Sequence, residues 1–157
     1  MAVEIERKFL VKNDDFKLEA KRIHKIRQGY LNSNKNRAVR VRVWDEIGYL
    51  TIKGKSNTSG TSRFEWEKEI PIAEAEQLLL LCEPSVLEKN RYIIEHGNHT
   101  FEVDVFLGIN DGLIVAEIEL QDEDEPFSKP NWLGKEVTGD PKFYNASLSK
   151  TPYSEWL

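Results

Sequence analysis

The chain has 157 residues, 39% hydrophobic and 31% charged, with a net charge of −5 and a pI near 5.3. That is enough chain for one domain with a real core, and an acidic balance argues against a nucleic-acid binder, which would carry a basic stripe. The longest apolar run, Leu78-Leu79-Leu80-Leu81-Cys82, falls far short of the ~18 residues of a membrane span.

Residues 2–11 alternate apolar and charged side chains and predict a first strand. The charged start Met1-Ala2-Val3-Glu4 has neither the basic nor the apolar region of a signal peptide. Asn13 or Asp14 can cap a helix over 13–21. Strands follow at 23–32, 38–45, 48–56 and 63–71, with Asn32-Ser33-Asn34-Lys35-Asn36, Gly48 and Ser56-Asn57-Thr58-Ser59-Gly60 as breaks. A second helix runs from Ala73 to Cys82, between Pro71 and Pro84. Strands at 86–96, 99–107 and 113–121 are divided by the hairpin signals Gly97-Asn98 and Asn110-Asp111-Gly112. An acidic loop covers 121–130, and a third helix starts at Pro141 and runs through Leu148. The single cysteine excludes an internal disulfide and fits a reducing cytoplasm, the expected location.

This is one mainly β domain over 1–157, with eight antiparallel strands in a meander that can close into a barrel. The charges on its strands carry the functional signal. Four strands pair two acids across one apolar residue: Glu4 and Glu6, Glu65 and Glu67, Glu102 and Asp104, Glu117 and Glu119. Residues i and i+2 share a strand face, so each pair shares a face. Arg40 and Arg42 repeat the pattern with bases, and Lys8, Lys53, Lys89 and Arg91 lie on matching parity. Like charges ~7 Å apart repel by about 0.6 kcal/mol in water and about 2.4 at an effective dielectric near 20. A solvated face tolerates that. An interior needs compensation, from metal for the acids and a polyanion for the bases. Carboxylates suit Mg²⁺, Mn²⁺ or Ca²⁺, and arginine forks suit phosphate.

The opening Glu4-Ile5-Glu6-Arg7-Lys8 resembles Glu-x-Glu-x-Lys, the signature of the CYTH superfamily, or triphosphate tunnel metalloenzymes. The resemblance continues in order through Gln28-Gly29-Tyr30-Leu31, Val39-Arg40-Val41-Arg42, Thr51-Ile52-Lys53, Glu65-Trp66-Glu67, Lys89-Asn90-Arg91-Tyr92, Glu102-Val103-Asp104, Glu117-Ile118-Glu119 and Trp132–Thr138. It spans essentially the whole chain and is most similar to the short bacterial members. It implies an eight-stranded antiparallel β-barrel tunnel with a charged interior, flanked by a few helices, the one near 141–148 plugging one mouth. It also implies divalent metal, Mg²⁺ ahead of Mn²⁺, as two ions. By that resemblance Lys8, Arg40, Arg42, Lys53, Lys89, Arg91 and Tyr30 grip a triphosphate. Glu4, Glu6, Asp104, Glu117 and Glu119 hold metal. Glu4, Glu6, Lys8, Glu117 and Glu119 form the catalytic set, and Glu65, Glu67 and Glu102 complete the acidic lining.

The implied reaction is metal-dependent hydrolysis of inorganic tripolyphosphate to pyrophosphate and phosphate. Rivals on the same site are an ATP hydrolase, an adenylate cyclase, a thiamine triphosphatase and a non-catalytic polyphosphate sensor. A small β-barrel binding a partner protein through its surface is the plainest alternative. The expected partner is the small-molecule triphosphate, with no nucleic acid and no membrane. Outward apolar strand faces not covered by helices leave room for a homodimer. Cys82 reads as a core thiol, His24, His96 and His99 as surface or hairpin residues, and Trp44, Trp66, Trp132 and Trp156 as packing residues. Lys135 and Lys55 read as surface and rim positions.

Overall fold

The eight alternating segments, with one further short stretch, become nine antiparallel strands in a computed structural model that describes residues 5–56, 63–84, 86–122 and 124–156. They are β1 (Ile5–Val11), β2 (Arg22–Asn32), β3 (Arg37–Trp44), β4 (Ile47–Ser56), β5 (Arg63–Ile70), β6 (Leu87–His96), β7 (His99–Phe106), β8 (Ile114–Leu120) and β9 (Leu133–Glu136). Three helices accompany them: α1 (Phe16–Glu19), α2 (Ile72–Leu80) and α3 (Asn145–Leu148). The eight expected strands all form. The ninth, four residues long, was not foreseen. No described helix is long and apolar enough to cross a membrane.

The sheet order is β5-β4-β3-β2-β6-β7-β8-β1-β9, and every neighbouring pair is antiparallel. The expected closure into an eight-stranded barrel is not made by hydrogen bonds among the described residues: β5 and β9 stand at opposite edges. Charge on both edges, from Glu65, Glu67, Lys68 and Glu69 on one and Lys135 and Glu136 on the other, blunts further strand pairing. The burial of Lys89 and Asp104 on one face requires the open sheet to curl over them, which makes that face the concave one.

Two apolar clusters cover the convex face. Phe16 of α1 and Trp132 are fully buried against Phe9, Ile94, Phe101, Val103, Ala116 and Ile118. Trp132 also donates its Nε1–H to Glu19 at 2.9 Å, which satisfies the one polar atom it buries. The helix carrying Phe16 is shorter than the predicted 13–21. Asn13 makes a local turn by accepting from the Asp15 N–H at 2.9 Å, and the chain is already extended at Ala20. Docking one aromatic needs only one turn.

On the other half, Ala75 and Leu79 of α2 pack on Val41 and Val43 of β3. Gly48 is part of that contact and not a turn residue: a Cβ there would meet the Ala75 Cβ at 2.6 Å. The reversal falls three residues earlier, where Asp45 adopts φ 55°. Gly29 is similarly tight, with a built Cβ 2.9 Å from both Cβ and Sγ of Cys82. Gly29→Ala is expected to lower stability by about 1–3 kcal/mol through overpacking, measured by urea denaturation.

A third cluster lies on the concave face. Leu87, Phe106 and Val115 sit two residues from Lys89, Asp104 and Glu117 and so share their face. They are covered by Val137, Phe143 and Leu148, with Tyr153 and Trp156 packed alongside. The C-terminal segment therefore seals one end of the concave face, as the expected plug does, although α3 is a single turn between 3₁₀ turns at Pro141–Phe143 and Tyr153–Glu155.

Candidate functional site

Register sets the predicted charged residues side by side, because directly opposed residues of antiparallel strands share a face. On one flank Glu6 and Lys8 of β1 face Glu119 and Glu117 of β8. Glu117 faces Glu102 of β7, and Asp104 faces Arg91 of β6. On the other flank Arg40 faces Thr51, Thr51 faces Glu67, and Lys53 faces Glu65. Tyr30 and Gln28 of β2 stand opposite Arg40 and Arg42. The centre of the face, β3-β2-β6, thus carries Arg40, Arg42, Lys89 and Arg91, with carboxylates on both sides.

Burial decides between a solvated face and an interior. Lys89 is only 2% exposed and Asp104 3%, far too enclosed for a washed surface. Charges at that depth need partners. Arg91 lays its fork on Asp104, Nε to Oδ1 at 2.8 Å and Nη2 to Oδ2 at 3.0 Å, and sends Nη1 to Glu102 at 2.9 Å. Lys89 reaches Asp104 at 2.8 Å, and Lys8 reaches Glu117 at 2.6 Å. Thr51 donates to Glu67 at 2.7 Å. Burial alone would raise the Asp104 pKa, but Lys89 and Arg91 overcome it and hold the carboxyl at about 2. For Arg91 burial opposes the charge, yet the bonds and field of Asp104 prevail and raise its pKa. Arg42 is lowered, first by burial and then by the neighbouring charge of Arg40.

One set of donors stands apart. Arg40 Nε, Arg42 Nε and Gln28 Nε2 are buried with no hydrogen-bond acceptor among the described residues. They come from adjacent strands and share the concave face. A buried donor left unsatisfied costs about 1–3 kcal/mol, more when charged. An arrangement of this kind suits an anionic ligand that supplies the acceptors.

The model of the CYTH domain family matches residues 2–152. The chain belongs to the CYTH family. It is 51% identical over 157 residues to an inorganic triphosphatase of Acetivibrio thermocellus, covering 99% of each chain. It is 36% identical over 151 residues to an inorganic triphosphatase of Nitrosomonas europaea, covering 93% of this chain and 96% of that one. A crystal structure of an inorganic triphosphatase superposes with a TM-score of 0.74 at 32% identity, over 95% of both chains.

Within this CYTH chain the concave face brings together Glu6, Lys8, Tyr30, Arg40, Arg42, Lys53, Glu65, Glu67, Lys89, Arg91, Glu102, Asp104, Glu117 and Glu119. Glu4 lies outside the described residues. Asp104, expected as a metal ligand, has both oxygens engaged by Arg91 and Lys89. Among the described residues no three His, Cys, Asp or Glu side chains converge closely enough to cage a metal. Glu6 and Glu119, directly opposed on β1 and β8 and both exposed, nonetheless offer the hard oxygens that fit a hydrated Mg²⁺, which binds through one or two carboxylates plus substrate phosphates.

Two members of this face, Gln28 and Thr51, had no predicted role, and a third, Trp44, is expected from the sequence only to pack. Parity was the available signal, since they sit two residues from Tyr30, Lys53 and Arg42 respectively. His24 is likewise more than a surface residue, pairing Nδ1 with Asp45 at 2.7 Å beside Trp44. His99 pairs with Glu125, and Cys82 is half-buried with its thiol donating to the Leu78 carbonyl. Lys55 and Lys135 are exposed, as expected, whereas Trp66, expected to pack, is 41% exposed.

Proposed function

We propose that the chain is a single CYTH domain that hydrolyses inorganic triphosphate to pyrophosphate and phosphate on its concave face. The observation that carries this reading is the set of buried, unsatisfied donors Arg40 Nε, Arg42 Nε and Gln28 Nε2, in a chain similar over its full length to inorganic triphosphatases. A triphosphate chain presents acceptor oxygens along its whole length. Arg40 and Arg42 grip it from β3, Tyr30 and Lys53 support them from β2 and β4, and Lys89, Arg91 and Lys8 extend the positive field across the face.

Water attacks the terminal phosphorus, a new P–O bond forms, and the bridging P–O bond breaks to release pyrophosphate. Phosphoryl transfer of this kind depends on positioning and charge stabilisation more than on a protein nucleophile. The guanidinium groups meet the charge that builds on the equatorial and leaving oxygens. Glu6, Glu117 and Glu119, with Glu4, would hold the divalent metal, Mg²⁺ or Mn²⁺ and up to two ions, which would supply neutralisation of phosphate charge and a more acidic water. Asp104 braces Lys89 and Arg91. Glu65, Glu67 and Glu102 orient the bases beside them, as Glu67, itself held by the Thr51 hydroxyl, does for Arg40.

Phosphate release from tripolyphosphate, ATP, thiamine triphosphate and pyrophosphate, each with Mg²⁺, Mn²⁺ or EDTA, tests the reading. Metal-dependent turnover of tripolyphosphate well above the other three is expected. Binding of tripolyphosphate without turnover in any metal would replace the hydrolase with a sensor.

A further inference from the structure

Trp44 follows Arg42 by two residues on β3 and so faces the same side. Its ring centroid lies 5.6 Å from the guanidinium carbon of Arg42 and 5.5 Å from that of Arg91. Arg91 belongs to β6, and β2 runs between the two strands. From β2, His24 sets its own ring 5.0 Å from the indole. The indole therefore spans an intervening strand and meets two cations that repel each other.

The two arginines differ in their other support. Arg91 has Asp104 and Glu102. Arg42 has a buried Nε without an acceptor among the described residues. The electron-rich face of an indole attracts a guanidinium and fixes its plane without using any of its N–H donors. A carboxylate in that place would consume the donors that a phosphate needs.

Resting on the triphosphate reading above, we propose that Trp44 is a positioning residue for substrate binding. Its ring holds Arg42 beside the carboxylate-braced Arg91 across β2, oriented toward the phosphates and with the N–H groups of Arg42 left for them.

Trp44→Leu keeps bulk and removes the π face, whereas Trp44→Phe keeps a face. Trp44→Leu is expected to raise the KM for tripolyphosphate about tenfold, the change that ~1.4 kcal/mol corresponds to, with kcat little altered. Trp44→Phe is expected to recover most of that loss, which a purely space-filling role would not require. An unchanged KM in the leucine variant, or equal impairment in both variants, overturns the proposal. Trp44→Met supplies the same comparison if the leucine variant does not fold. A second readout needs no turnover. The Nε–Hε NMR signals of Arg42 and Arg91 are expected to carry ring-current shifts that collapse in the leucine variant, and signals that stay in place overturn the proposal. If the wild-type protein fails to turn over tripolyphosphate, the functional reading falls while the NMR comparison still decides whether Trp44 holds the two arginines.

Discussion

Replacing Arg42 with alanine is expected to cut kcat/KM for tripolyphosphate by about two orders of magnitude while leaving stability within about 1 kcal/mol of wild type. The loss follows from the energy of charge-assisted hydrogen bonds, about 1.5–3 kcal/mol each, where tenfold corresponds to about 1.4 kcal/mol. Stability hardly responds because the folded protein gains little from this charge. Its Nε is buried without an acceptor among the described residues. Burial lowers its pKa, and the charges of Arg40 and Arg91 work in the same direction. Removing the guanidinium relieves that repulsion and offsets the lost contact with Trp44. Steady-state kinetics and urea denaturation on the same preparation check both halves. A variant that loses stability and activity together, or one with wild-type kinetics, contradicts the assignment of Arg42 to substrate.

Asp104→Asn is expected to do the reverse and unseat the fold, by about 3–5 kcal/mol. Breaking a buried ion pair from one side leaves uncompensated charge, which costs more than the intact pair contributes. Here one carboxylate serves two cations, Lys89 at 2.8 Å and Arg91 through two bonds, with Lys89 almost fully enclosed. The pH dependence has a definite sign. The Asp104 pKa is depressed from 3.8 to about 2 in the folded state. Its contribution is therefore complete above about pH 4 and is lost as the pH falls toward 2, where folded and unfolded forms both take up the proton. Urea midpoints at pH 7, 4 and 2.5 are expected to converge between wild type and the Asn variant as the pH drops. A constant difference across that range would remove Asp104 from the account of acid sensitivity.

Most of the scaffold was legible because strands have a period of two. Val39-Arg40-Val41-Arg42-Val43 can only present both arginines to one side, and the opposed acids on β1 and β8 follow the same rule. Register was harder to read. Glu102 and Asp104 look like any other acidic pair in the sequence, and only the pairing of β7 with β6 shows that Asp104 faces Arg91 and becomes a brace. Strand β9 was invisible for a related reason. Leu133-Gly134-Lys135-Glu136 has no alternation of its own and is extended because Val11 and Phe9 of β1 offer it an edge. The open edges belong to tertiary geometry too, since tight turns predict a meander equally well for a barrel and a curled sheet. The sequence alone makes Trp44 a packing residue, because a tryptophan on a strand usually packs. Its parity with Arg42 was the clue to its contact with charge.

The central claim is that the buried donors of β2 and β3 receive a triphosphate chain. A crystal structure of the protein with a non-hydrolysable imidotriphosphate and Mg²⁺ tests it most directly. Phosphate oxygens are expected within about 2.7–3.2 Å of Arg40 Nε, Arg42 Nε and Gln28 Nε2. An anion bound elsewhere, with those three donors still unpaired, would contradict it.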